Sequence, residues 1–225
     1  MARVLLVVPT GHGAGLTSTC LGLLRALDAR GVAVGFHKPL AQATRDGGPD
    51  RSVALVRLTT SLDPAEPIPA TRVVERLSRG EVDDLMEEVV AAAEKVLAHY
   101  DVVIVEGLAP SADQVFSGRV NQALATALDA DVLLVGSAGP DVTDFDSSTT
   151  QSTHGTGTHG TGTHGTGTHG TGTHGTGPHG IDLLAPERIA EDMAVTAGTY
   201  RAGEALRVVG GVVSRWPVSG DPDVA

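Results

Sequence analysis

Between residues 7 and 19 the chain reads VVPTGHGAGLTST: an apolar run, then glycines at 11, 13 and 15, then Leu16, Thr17 and Ser18. Glycines at this spacing let a backbone turn tightly, and a helix starting just after them directs its positively polarised N-terminus at the same point. The pattern approaches a phosphate-binding loop, G-x-x-x-x-G-K-[ST]. In such a loop N–H groups wrap the phosphates, the lysine reaches the terminal ones, and the hydroxyl holds Mg²⁺. Here Thr10 stands at the first glycine position and Leu16 at the lysine. Gly11, Gly13, Gly15, Thr17 and Ser18 remain as an anion cradle, and a plain strand-to-helix turn is the competing reading. A charged hydrogen bond contributes about 1.5–3 kcal/mol. Weak anion or nucleotide binding should therefore survive the loss of the lysine, and efficient phosphoryl transfer should not.

Three further groups could work with the loop. FHKPL sets Lys38 at the end of a second strand, the edge where open α/β sheets bind ligands. VIVEGLAP sets Glu106 at the corresponding end of a third strand, where a carboxylate could meet Mg²⁺. GGPDRS supplies Asp50 on a glycine-rich loop. Taken singly, Lys38 and Asp50 also read as ordinary surface charges. His12 and His37 read as loop and packing residues without a catalytic role. The single cysteine, Cys20, reads as a buried, inert thiol on a helix.

Those residues need a scaffold that brings strand ends together. Val4–Val8, 32–38, 101–107 and 131–137 are short Val-rich runs, as expected of strands buried on both faces. Between them, 16–29 and 80–99 carry apolar residues at helical spacing. In the second, Val82, Leu85, Met86, Val89, Val90, Ala93, Val96 and Leu97 oppose Asp83, Asp84, Glu87 and Glu88. VNQALATALDA and 186–206 also read as helical, and 208–216 as a last strand. Alternating strands and helices predict an α/β domain with a doubly wound, mostly parallel sheet. The 225 residues carry a formal net charge of −11 with no Lys/Arg cluster, which argues against nucleic acid and anionic membrane surfaces as partners. No segment approaches a membrane span. One cysteine fits a reducing compartment, so a cytoplasmic protein is expected.

From Thr153 to Gly177 the pentapeptide THGTG repeats five times and PHG follows, spacing His154, His159, His164, His169, His174 and His179 five apart. On a helix, consecutive histidines would point about 140° apart; on a strand, same-face histidines would stand roughly 33 Å apart. Neither arrangement gathers the ligands of a zinc site. The array is read as a flexible polar insert that binds Zn²⁺ or Ni²⁺ weakly. The organisation expected is a first part of one domain (1–142), the insert (143–181), the last helix and strand of the same domain (182–216) and a disordered tail (217–225).

PTGHGAGLTS, FHKPLAQ, GGPDRS, DDLMEEVVA, VVIVEGLAP and VLLVGSAGPD, in this order over residues 3–142, resemble the N-terminal domain of bacterial phosphate acetyltransferases. That domain is itself similar to dethiobiotin synthetase, with a P-loop NTPase-like fold. Leucine in the lysine position is a mark of the acetyltransferase domain. The resemblance implies a regulatory module that responds to metabolites such as NADH and pyruvate, and it leaves open a homo-oligomer formed through the family's assembly. No acetyl-transfer residue can be carried over, so a module truncated before the catalytic domain, and inactive alone, is expected. From dethiobiotin synthetase the resemblance implies Thr17, Asp50 and Glu106 as Mg²⁺–phosphate positions and Lys38 as a phosphate contact. The partner expected is a small anionic metabolite, with Mg²⁺ and nucleotide as one form of it. Two alternatives stand beside this: an ATP-dependent ligase of the dethiobiotin synthetase type, and a non-enzymatic metal-binding or interaction protein built on the histidine array.

Overall fold

The computed structural model describes residues 2–42, 48–110, 116–138, 186–201 and 207–214. Among them, strands β1 (Arg3–Pro9), β2 (Val34–His37), β3 (Val102–Glu106), β4 (Asp131–Ser137) and β5 (Arg207–Ser214) form one sheet. Its order is β2-β3-β1-β4-β5, and every pairing is parallel. Parallel neighbours need crossovers, and these are supplied by α1 (Leu16–Asp28), α2 (Arg51–Thr59), α3 (Ala70–Ser78), α4 (Val82–Leu97), α5 (Ser117–Ala127) and α6 (Pro186–Arg201). The α/β expectation is met, with a sheet that is parallel throughout.

Successive side chains on a strand point to opposite faces, and this divides the core in two. Val4, Leu6 and Val8 join Val103, Val105, Val132 and Leu134 in one cluster, closed by buried residues of α4, α5 and α6. Val7, Ile104 and Val135 join the other, closed by α1 and α2. The stripe read along 80–99 sorts the same way. Leu85, Met86, Val89 and Ala93 are buried, while Val82, Val90, Val96 and Leu97 pack at the margin of the same cluster.

Several boundaries move. Strand β2 spans Val34–His37, so Lys38 is the first residue beyond it. Helix α4 begins at Val82, after Gly80 turns the chain with φ of 74°. Helices α2 and α3, nine residues each, carry no expectation from the sequence. Only Ser52, Val53 and Val56 are buried on α2, and only Val73 on α3. Helix α6 packs Ile189, Ala197 and Tyr200 inward, and β5 extends the sheet beside β4. The histidine array, the boundaries drawn at 142/143 and 181/182, and the tail lie outside the described residues. Among the described residues no helix is long and apolar enough to cross a membrane.

Candidate functional site

Strand β1 leads into the glycine-rich turn, where Gly13 and Gly15 take φ of 61° and 73°, a region costly for any residue with a Cβ. Helix α1 then starts with no side-chain cap and no acidic residue in its first turn. A helix start leaves N–H groups without intrahelical acceptors, so this one presents its donors and its partial positive charge to whatever enters beside the loop. From the far side, the Ser214 hydroxyl at the end of β5 donates to the Ala14 carbonyl at 2.6 Å and ties the turn to the sheet edge.

Leu16 borders the opening but spends its side chain elsewhere. It is 8% exposed and packs in the α1-side core with Val7, Cys20, Phe36 and Ile104. The position from which a lysine would reach terminal phosphates is committed to hydrophobic packing.

The charge at this site comes from other elements. Lys38 Nζ donates to Glu106 Oε1 at 2.9 Å and to the Gly107 carbonyl at 3.2 Å, and both charged side chains are 2% exposed. The Ser52 hydroxyl donates to the same Glu106 oxygen at 2.6 Å, and the Thr17 hydroxyl at 3.2 Å. Thr17 and Ser52 also lie within hydrogen-bond distance of each other, at 2.9 Å. Glu106 Oε2 is buried with no hydrogen-bond partner. Asp50 is spent on structure. Its Oδ1 accepts from Ser52 N at 2.9 Å and Val53 N at 3.2 Å, capping α2, and Oδ2 accepts from Gln42 N at 3.3 Å.

The floor of the site is pinned by amides. Gln42 donates to the Ala109 carbonyl and accepts from its N–H, both at 3.0 Å. Asn121 does the same for Leu108, at 2.9 and 2.8 Å. These bonds fix the backbone just after Glu106 and so fix where its carboxylate sits.

The glycine-rich turn, the start of α1, Lys38, Gln42, Asp50, Ser52, Glu106 and Ala109 line a cleft of about 370 Å³. Of the groups singled out from the sequence, it gathers Gly13, Gly15, Thr17, Ser18, Lys38, Asp50 and Glu106; Gly11 lies in the turn but outside the lining. Ser52 and Gln42 also line it, and sequence reasoning missed both. The Asp-Arg-Ser pattern of a capped helix start could have flagged Ser52. Nothing local marks Ser214. Two neighbours are neutral packing groups. Burial, then the Glu106 charge, pushes the Cys20 thiol well above its ordinary value, and burial pushes His37 down to about 4.

The Mg²⁺ implied by the resemblance meets a donor set already in use. Mg²⁺ takes an octahedral oxygen shell and usually keeps several waters. Here one Glu106 oxygen accepts from an ammonium and two hydroxyls, and both Asp50 oxygens accept backbone N–H groups. Two unit charges about 4 Å apart interact by about 4 kcal/mol at an effective dielectric near 20, and a dication beside Lys38 would double that repulsion. As placed, with only Glu106 Oε2 of these carboxylate oxygens left without a partner and Lys38 beside it, the residues do not make up the oxygen shell of a divalent cation. Among the described residues no three His, Cys, Asp or Glu side chains are grouped to hold one.

A family model described as an AAA domain matches residues 3–149, well over half of the chain. The phosphate acetyltransferase of Pseudomonas aeruginosa is 48% identical over 130 residues, which are 57% of this chain and 18% of that protein. The phosphate acetyltransferase of Escherichia coli is 39% identical over 144 residues, 63% of this chain and 20% of that protein. The chain thus spans about a fifth of the length of the curated relatives it matches. Among solved structures, the chimerical protein CapA2B2 aligns with a TM-score of 0.50 at 12% identity, covering 97% of this chain and 78% of that one, a likeness of fold alone. The chain therefore belongs to the AAA-domain family, as a member similar to part of the bacterial phosphate acetyltransferases.

Proposed function

We propose that this chain is the regulatory, ligand-binding module of a phosphate acetyltransferase, and that it takes a small anionic metabolite in the cleft beside the glycine-rich turn. The observation that carries the reading is Leu16: the loop keeps its glycines and its uncapped helix start, while the position from which a lysine would drive phosphoryl transfer holds a leucine packed in the core. A cleft with backbone donors, three hydroxyl side chains, one lysine and one arginine can hold an anion. The same loss removes the support that an ATP-dependent ligase would need. Exchange of acetyl between coenzyme A and phosphate is the activity of the full-length family, and none of the groups in this cleft is assigned to it. A cytoplasmic setting belongs to this reading, in keeping with an acidic chain that has one cysteine.

The test uses the pure chain. It should form no acetyl phosphate from acetyl-CoA and phosphate and should not hydrolyse Mg-ATP. Pyruvate or inorganic pyrophosphate should raise its melting temperature. Acetyl phosphate formation, or an unmoved melting temperature with every anion tried, would overturn the reading.

A further inference from the structure

We propose that Lys38 is the buried cation of the cleft, which the exposed Arg51 also lines, so that the anion bound there is taken free of divalent metal. This deepens the reading of the cleft as an anion site and rests on it.

Lys38 is held by geometry that a surface lysine lacks. Its side chain is 2% exposed and lines the cleft, with Nζ fixed between Glu106 Oε1 at 2.9 Å and the Gly107 carbonyl at 3.2 Å. An ammonium has three donors, and these two bonds leave one for a ligand. Glu106 is in turn anchored by Ser52 at 2.6 Å and Thr17 at 3.2 Å, so the ion pair stands on three elements, α1, α2 and β3.

The hydroxyl that would coordinate a metal in a phosphate-binding loop, Thr17, here donates to the carboxylate instead. The positive charge that Leu16 fails to provide from α1 is delivered from the end of β2. Glu106 Oε2, buried and without a hydrogen-bond partner, is the one oxygen of that carboxylate to which a metal could still attach. The experiment is aimed at that alternative.

Pyrophosphate binding to the full 225-residue chain is measured by calorimetry with EDTA and again with Mg²⁺, affinities being expressed for the free anion. The expected result is the same affinity, within about threefold, in both buffers. The double variant Lys38→Met, Glu106→Gln removes the pair without stranding a buried charge. It should keep a cooperative melt and lose at least about tenfold in affinity, the worth of one charged hydrogen bond. Binding that appears only with Mg²⁺ overturns the proposal, as does a double variant that binds as well as the parent. The comparison with EDTA uses the unaltered chain, so it stands even if the variant fails to fold. Absence of binding in both buffers removes the anion reading itself, and this proposal with it.

Discussion

His37 closes β2 with its imidazole buried and Nε2 without a partner, and burial lowers its pKa from 6.5 to about 4. The unfolded chain therefore takes up a proton at this residue before the folded one does. Stability from this source is complete above about pH 6.5 and is lost as pH falls toward 4. Between pH 7.5 and 5 the loss should be about 2 kcal/mol. Urea unfolding across that range should show a shallower decline for His37→Leu than for the parent, and equal declines would refute the assignment. Gly107 offers a second test at this scale. A Cβ built there would stand 2.7 Å from Asn121 Oδ1 and 3.1 Å from Val8 Cγ1. Gly107→Ala must push Asn121 off the Leu108 backbone, at a cost of about 1–3 kcal/mol. A melting temperature unchanged by the substitution would show that the amide clamp is slack.

At the scale of elements, Asp50 separates a structural role from a metal-binding one. As the cap of α2 it accepts two backbone N–H groups, and Asp50→Ala should cost about 1 kcal/mol. Asp50→Asn keeps the acceptor for the α2 N–H groups but sets its amide NH2 against the Gln42 N–H, so it should recover part of that. If the asparagine variant is instead as unstable as the alanine one, the charge rather than the cap is what matters. The same helix shows where reading from sequence stops. Helix α4 was legible because its apolar stripe runs over four turns opposite carboxylates. Helix α2 was not, because Leu58, at its exposed end, is 81% exposed and blurs the period. With α2 unseen, Ser52 had no reason to stand beside Glu106, and Asp50 read as loop. Lys38 and Glu106 could be placed, because strand ends on a parallel sheet share one edge. Their pairing could not, since it depends on how far β2 and β3 run in register, His37 against Val105. Ser214 reaches Ala14 across 200 residues, and no local pattern encodes that contact.

For the whole molecule, strand order makes the site depend on chain far from it. β1 lies between β3 and β4, and the cleft after β1 forms where the carboxyl ends of β1, β2 and β3 meet, the edge at which open sheets of this kind bind ligands. β4 in turn leans on β5 and α6. Ile189, Ala197 and Tyr200 are buried against that flank, and Met193 packs beside them. Each large apolar side chain buried in this way contributes about 1.5–3 kcal/mol. Removing the flank would forfeit roughly 5 kcal/mol or more, before counting the β4–β5 ladder and the uncovering of Val132 and Leu134. Domains of this kind are stable by about 5–15 kcal/mol in total. A chain stopped after residue 138 keeps the glycine-rich turn, Lys38, Asp50 and Glu106, yet it loses most or all of that margin. It should elute as an expanded or aggregated species and show no cooperative thermal transition by circular dichroism. Retention of a cooperative melt near that of the full chain would mean that the first four strands fold alone. The anchoring of the turn by Ser214 would then be dispensable to the fold, and its role would be confined to shaping the cleft.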